Sequence, residues 1–363
     1  MDLLGAHDGA NPFSGPVVVG GAFSAYHNPA LLVGAADSLG LGLFVLTQQL
    51  DVTLKPRPGG SDVGPEIYDA RLLNGDGTTE RLNFRPLATG DLVSRRGTHD
   101  PNRTDVYVGL SMVKQLLEGR LALGFSLVAP ASQFQGQTSF FVDEREQFFS
   151  NSLHFELLED RMDMTVMAAG LGVRVLEELS AGVGVTVANV ADVTSRVYVG
   201  DATYQETAEV NTSSRLGLRV VPHFGLVGEP RAGLRLAGTL HLASSSDVDA
   251  SSDVQFWDYP YPEGQTSLVQ SFGSTTGYNP MRGTAGLSWR LGPHALLASA
   301  RWTNWSGYSD RHGETPVAAW RDTVSGALGF QAGVGAQQLG LDARFEPSPV
   351  PDQTARSNYV DNS

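Results

Sequence analysis

Hydrophobic residues recur at every second position over most of the chain. From Ala232 to Leu242 the even positions Leu234, Leu236, Leu240 and Leu242 are apolar, while Arg235, Thr239 and His241 hold odd ones. Ala285, Leu287, Trp289 and Leu291 alternate with Thr284, Gly286, Ser288 and Arg290, and Leu339, Leu341, Ala343 and Phe345 alternate with Gln338, Gly340, Asp342 and Arg344. Phe44 to Leu54 and the run Leu216, Leu218, Val220 repeat the pattern. A period of two puts successive side chains on opposite faces, so each stretch predicts a half-buried β-strand. Short connections over 117–120, 176–178, 228–231, 291–294 and 331–335 read as tight hairpins. They alternate with long polar stretches at 56–103, 131–161, 191–213, 244–281 and 307–321. About eleven strands result from this reading.

Brief turns at one rim and long loops at the other predict an all-β architecture, an antiparallel transmembrane β-barrel. A soluble sandwich would also alternate, but sandwich domains run to about 100 residues. A chain of 363 residues would need several of them, joined by linkers that its composition does not show. The polar face carries Gly170, Gly172, Gly182, Gly184 and Thr186, which suits a lumen crowded by an inner plug. Tyr107, Trp302, Trp305, Tyr308 and Trp320 fall near strand ends, where an interfacial aromatic girdle would sit. No apolar run approaches the roughly 20 residues of a membrane-spanning helix. A mean hydropathy of -0.12 is compatible with strands that show lipid only every second side chain.

Charge and chemistry narrow the function. The formal net charge is -14 and no basic run exceeds Arg95-Arg96, so no nucleic-acid partner is expected. With no cysteine, disulfides, thiolate metal sites and cysteine nucleophiles are excluded. Zinc-helix, nucleophile-elbow and phosphate-loop motifs are missing, so the chain reads as a non-enzyme without catalytic residues or cofactor. The eight histidines are scattered without ligand spacing, and no metal ligand is assigned. Asp247, Asp249 and Asp253 resemble the start of a calcium loop, yet Ser252 stands where the turn needs glycine, so a solvated acidic loop is the better reading. Lumen-side Arg174, Arg215, Arg219, Arg235, Arg290, Arg301 and Arg344 are expected to pair with wall or plug acids such as Asp342, and Arg215, Arg235 and Arg301 are the candidates to hold a ligand carboxylate. Residues 1–8 lack the basic and apolar regions of a secretory signal, so an exported protein would be present here in processed or trimmed form.

The most specific segment runs from Gly20 to Leu32 and ends in Tyr26-His27-Asn28-Pro29-Ala30-Leu31, ahead of the first clear strand. Pro29 fixes its own φ and biases Asn28 to an extended conformation, which by itself describes an ordinary turn. In context the segment resembles the N-terminal hatch of the FadL family of outer-membrane long-chain fatty-acid and hydrocarbon transporters. Leu121 to Pro130, Glu144 to Glu156, Arg301 to Tyr308, Trp320 to Thr323 and Pro347 to Asp361 are similar to other family segments. The resemblance implies a fourteen-stranded barrel with a hatch over residues 1–40 and a barrel over 41–363. It also implies an apolar pocket in the lumen and a strand kink that opens sideways into the membrane. Hatch roles carry over to Asn28, Pro29 and Ala30. Pro130 is the candidate kink, against the plainer reading of a strand terminus.

In the family, further strands follow the segment resembling Pro347 to Asp361. Either the sequence is cut short, then, or strands hide in the long loops, with 80–87 and 147–158 as candidates. The expected function is passive uptake of a hydrophobic small molecule, a fatty acid or alkyl aromatic, across the outer membrane of a Gram-negative bacterium, with outer-membrane lipid as the other partner. The alternative is an outer-membrane barrel that serves as a scaffold or secretion partner without transport.

Overall fold

The computed structural model describes residues 11–48, 71–73, 78–81, 103–117, 119–131, 165–199, 208–256, 266–308, 315, 320–334 and 337–350. Residues 11–35 form turns, one short helix α1 (Ser24–His27) and a 3-10 turn at Pro29–Gly34. Strands follow: β1 (Ser38–Gln48), β2 (Arg71–Leu73), β3 (Thr79–Arg81), β4 (Arg103–Leu117), β5 (Leu121–Pro130), β6 (Val166–Leu176), β7 (Leu179–Val199) and β8 (Ala208–Arg231). After them come β9 (Leu234–His241), β10 (Ser244–Phe256), β11 (Thr266–Asn279), β12 (Arg282–Leu291), β13 (His294–Thr303), β14 (Thr323–Val334) and β15 (Gln337–Phe345). No helix among the described residues is long and apolar enough to cross a membrane.

Thirteen strands share one sheet, and eleven of them lie on a continuous antiparallel path from β1 through β4–β9 and β12–β14 to β15. Laid flat at about 4.8 Å per strand, such a path would measure about 48 Å from edge to edge. Yet the short segment inside it reaches both edges. The ring of Phe23 meets Phe44 of β1 edge-on at 6.1 Å, while the Asn11 side chain donates to the Leu341 carbonyl of β15 at 3.1 Å. The sheet is therefore rolled around residues 11–35. It remains open between β1 and β15, whose outer edges have no strand partner among the described residues.

Alternation divides the two faces. Outward positions carry exposed apolar side chains, among them Leu41 (81%), Leu328 (70%) and Leu341 (75%), and the row continues through Leu110, Leu123, Leu226, Leu236 and Leu296. An apolar surface of this extent on a water-soluble sheet would drive association, whereas hydrocarbon solvates it without penalty. Inward positions carry Ser111, Ser126, His223, Thr239, Arg282 and Ser325, all buried. Of the residues expected to form an aromatic girdle, Trp302 faces outward. Tyr107 turns inward against Phe23 and Val128, and Tyr308 and Trp320 stack face to face at 3.7 Å in a buried cluster with Trp305.

Two expectations about loops need correction. The stretch 244–281 is the hairpin β10–β11, and β7 and β8 extend into the stretch 191–213. These strands alternate only weakly, Val248, Val254 and Phe256 against Asp247, Asp253 and Gln255 in β10 and Val193, Val197 and Val199 against Asp192, Thr194 and Arg196 in β7, and the serines and threonines among them make the stretches read as loops. β10 pairs in parallel with the upper part of β7, Asp247 opposite Val190 through Phe256 opposite Val199, on the side that β6 occupies lower down. To get there from β9 the chain crosses β8 and β7, passing the inner face of β8, where Arg219 donates to Ser245 Oγ (2.9 Å) and Asp247 Oδ2 (3.1 Å). Of the other candidate strands, 80–87 overlaps β3 only at its start and 147–158 lies outside the described residues.

The turns at 117–120, 176–178 and 291–294 stand where the sequence puts them, with Gly119 and Gly292 at positive φ. The turn expected over 228–231 falls instead at Ala232–Gly233, because Gly233 (φ 80) can adopt the left-handed conformation while Pro230 and Arg231 stay in β8. The outward face supplies a test. Leu328→Arg is expected to lower the free energy of folding into lipid vesicles by about 2–4 kcal/mol. Gln331→Arg, on the inner face of the same strand, should change it little. Denaturant titration in vesicles reads both.

Candidate functional site

The site begins with the close approach of residues 11–35 to the inner wall. A Cβ added at Gly182 would lie 2.3 Å from Ala30 N, and one at Gly184 would lie 2.1 Å from the His223 imidazole. Gly124 receives Leu32, Gly172 the Pro29 carbonyl, and Gly286 Val17 in the same way. The glycines and alanines of β5–β8 thus form a seat into which the segment's backbone sinks. Leu32 packs there with Ala22, Val113 and Ala122, and Ala30 and Leu31 pack with Val227.

Asn28, Pro29 and Ala30, the residues carried over as the hatch motif, are all buried at the centre of this seat. Asn28 is extended (φ -160) and caps the following 3-10 turn, accepting from Ala30 N–H at 3.2 Å. Its amide also donates to the Val17 carbonyl at 2.8 Å, which folds the segment onto itself. Gly225 leaves room for the Asn28 carboxamide oxygen, which a Cβ there would meet at 2.1 Å.

Wall side chains then satisfy the segment's backbone. His223 of β8 and His241 of β9 stand opposite each other in register and stack at 4.8 Å with 13° between their planes. Each Nε2 meets a carbonyl at 2.7 Å, Ala25 O for His223 and Tyr26 O for His241. A carbonyl only accepts, so both Nε2 atoms carry the proton, and His223 Nδ1 faces Thr186 Oγ1 at 3.3 Å. Arg282 donates to the Tyr26 hydroxyl at 2.7 Å. Asp342, expected to pair with an arginine, instead accepts from the backbone N–H groups of Phe13 (2.6 Å) and Ser14 (2.9 Å). Of these wall partners, His223, His241 and Arg282 were not singled out from the sequence.

The three candidate arginines separate. Arg235 binds Glu229 through its Nε (2.7 Å) and donates to the Val18 carbonyl at 2.9 Å, so the segment and a turn acid engage it. Arg301 lies on the inner face of β13, in register between Thr284 and Ser325. Arg215 lines a polar cavity of about 350 Å³ together with Thr194, Arg196, Asn211 and Ser213, on the inner face of the upper β7–β8 hairpin. Neither Arg196 nor Arg215 makes an ion pair or hydrogen bond among the described residues. Asp253 of β10, in register with Arg196, accepts from Gln255 at 3.3 Å. The apolar cavity, about 750 Å³, is a groove on the outer face, lined by Leu236, Ala285, Ala300, Gly326, Leu328 and Phe345. No cluster of metal-ligating side chains occurs among the described residues.

Pro130 is the last residue of β5, opposite Tyr107. Ala131 N–H bonds the Val106 carbonyl at 2.7 Å, so the β4 ladder continues past the proline. The missing N–H of Pro130 therefore falls on the β6 side, where pairing has already ended at Val128 and Val166.

Two carboxylates are held just ahead of strands, Asp37 before β1 and Asp322 before β14. The Lys114 ammonium and then the Gln115 N–H hold the Asp37 carboxyl below its usual range, just ahead of β1. The Ser306 N–H, with help from Asn304, holds Asp322 below its usual 3.8 at the start of β14. A lowered carboxyl stabilises the fold above the ordinary carboxylate range, and that contribution is lost as pH falls through the lowered value. Tryptophan fluorescence of the Trp305–Trp320 cluster is therefore expected to change in an acid step below pH 3.8, and Asp322→Asn should abolish that step.

The seat gives a second test. Gly182→Val should expel residues 28–31 without unfolding the strands, seen as new protease cleavage in the segment at unchanged far-UV circular dichroism. Asn28→Ala removes two buried hydrogen bonds and is expected to destabilise the docked segment by about 1–3 kcal/mol.

No protein-family model matches the chain, and no curated protein does. Solved structures do match. A Pseudomonas aeruginosa FadL homologue aligns over 95% of this chain and 80% of its own, with TM-score 0.51 and 14% identity. The CymD monoaromatic hydrocarbon channel aligns over 94% and 83%, with TM-score 0.46 and 14% identity. The Pseudomonas putida toluene transporter TodX aligns over 92% and 82%, with TM-score 0.43 and 12% identity. At such identities the likeness is one of fold. The fold is what the chain shares with the first of these: it adopts the FadL-type β-barrel fold, here with the sheet open between β1 and β15.

Proposed function

We infer that the chain is an outer-membrane channel for passive uptake of hydrophobic compounds in a Gram-negative bacterium, with the N-terminal segment as its hatch. The observation that carries this reading is the pairing of an exposed leucine-rich exterior with an interior plugged by the chain's own N-terminal segment. A lipid-solvated wall whose bore is closed by its own chain needs no chemistry to pass a ligand, only a route around or past the plug.

The polar cavity supports an amphipathic ligand. Arg215 and Arg196 face the inside of the mouth with two hydroxyls and an amide beside them, donors suited to a carboxylate. A long-chain fatty acid would leave its head there while its tail loses water, worth about 0.8 kcal/mol per methylene buried. An alkyl aromatic would use the apolar part of the route alone. Pro130, at the edge where β5 and β6 part, is the position for a sideways exit into lipid.

The scaffold reading draws on a different observation: the glycine seat on the inner wall is filled by the segment rather than left as an apolar pocket. Titration of the folded barrel separates the two. Saturable binding of a long-chain fatty acid or an alkylbenzene, and flux into vesicles above the protein-free rate, are expected for a channel. Absence of both overturns it in favour of the scaffold. Arg196→Gln with Arg215→Gln should weaken the fatty acid roughly 10- to 100-fold, from charge-assisted bonds of about 1.5–3 kcal/mol, and leave the alkylbenzene unchanged.

A further inference from the structure

The transport reading leaves unused the buried His223 and the half-buried His241 that hold the segment in place. We propose that the stacked pair His223 and His241 is an acid-sensitive latch on the N-terminal segment. This goes beyond uptake and stands whether or not the chain transports anything, because it concerns only the docking of residues 20–34.

The two imidazoles hold consecutive carbonyls of α1, Ala25 and Tyr26, at 2.7 Å each. His223 is 1% exposed. Tyr26 sits against both rings, at 6.2 Å from His223 and 5.3 Å from His241, and its hydroxyl accepts from Arg282. The charged or titratable groups that face the pair are Arg282 from β12 and His27 and Tyr26 from the segment, while β7 contributes the neutral Thr186. No carboxylate among the described residues is of that number.

A proton added to His223 keeps its local bonds, because the Thr186 hydroxyl can turn to accept from Nδ1. What it cannot escape is charge. A cation on either ring lies against the other ring at 4.8 Å and beside the resident guanidinium, and on His223 it is also shut off from water. When the segment leaves the wall both rings open to water, which solvates such a cation. Docking is therefore full strength above the ordinary histidine range and weakens as pH falls through it. With released imidazoles near 6.5, one histidine raises the opening constant about tenfold between pH 7.5 and 5.5, and two raise it further.

Hydrogen–deuterium exchange on the full chain in detergent micelles reads this constant, once each rate is corrected for intrinsic exchange at its pH. Amides of residues 20–34 are expected to open several-fold more at pH 5.5 than at 7.5, with about tenfold per histidine as the ceiling and β12–β14 unchanged as the internal control. His223→Gln with His241→Gln keeps a donor toward each carbonyl but cannot titrate, and should flatten the profile. If that variant does not fold, Arg282→Gln reports instead, because removing the resident charge should shrink the rise. Equal opening of the native chain at the two pH values overturns the latch. So does a full rise that survives in the glutamine double variant, or in Arg282→Gln where that variant alone folds.

Discussion

The whole arrangement depends on how closely the backbone of residues 11–35 approaches the inner wall. A 3-10 turn and a four-residue helix cannot satisfy their own peptide groups, so a buried segment of this kind must borrow partners. The wall lends them: His223, His241 and Arg235 to carbonyls, Asp342 to two N–H groups. That borrowing requires contact at hydrogen-bond distance. Gly182 and Gly184 permit it, because any side chain there would hold the segment away from its donors. Small residues and polar residues on the same face are thus two halves of one requirement.

This inverts the logic of a soluble β-protein. Outside, Leu41 and Leu341 are mostly exposed and need no partner once hydrocarbon is the solvent. Inside, where a sandwich would bury its leucines, serines, glycines and histidines face a peptide backbone instead. The segment brings its own apolar residues, and Leu32 and Val17 fill hollows left by Gly124 and Gly286. Packing is thus shared between plug side chains and wall residues such as Val113, Val227 and Leu297, while most of the hydrogen bonds to the plug backbone come from polar side chains of the wall.

This division explains what the sequence makes legible. Strands with one apolar face announce themselves, and the run Gly170, Gly172, Gly182, Gly184 points to a crowded interior before any contact is seen. Strands rich in serine, threonine and aspartate, β10, β11 and the upper parts of β7 and β8, carry that rhythm only in diluted form and read as loops. The histidine pair is hidden for a further reason. His223 and His241 both fall on inward positions, but their meeting depends on register. A turn centred on 229–230 would set His223 opposite Leu236, whereas the turn at Ala232–Gly233, with the one-residue register shift between Gly228 and Arg231, sets it opposite His241. A shift of a few residues in one hairpin decides whether the cluster exists, and nothing in the hydropathy pattern fixes it.

The same dependence on position sorts the arginines, which the sequence presents as equivalent. His223 marks the level of the plug on β8, and Arg215 lies eight residues further from it along the same face, about 26 Å at 3.3 Å per residue. Arg235, opposite Ser288 on the neighbouring strand, stands at plug level and is taken up by the Val18 carbonyl and Glu229. An arginine beside the plug thus serves the plug. One well above it has no backbone to serve, and Arg215 shares its cavity with a second arginine and hydroxyl groups rather than with a wall acid bonded to it. Height along the strand, more than residue type, decides whether an inward arginine is structural or is left with donors to offer a ligand.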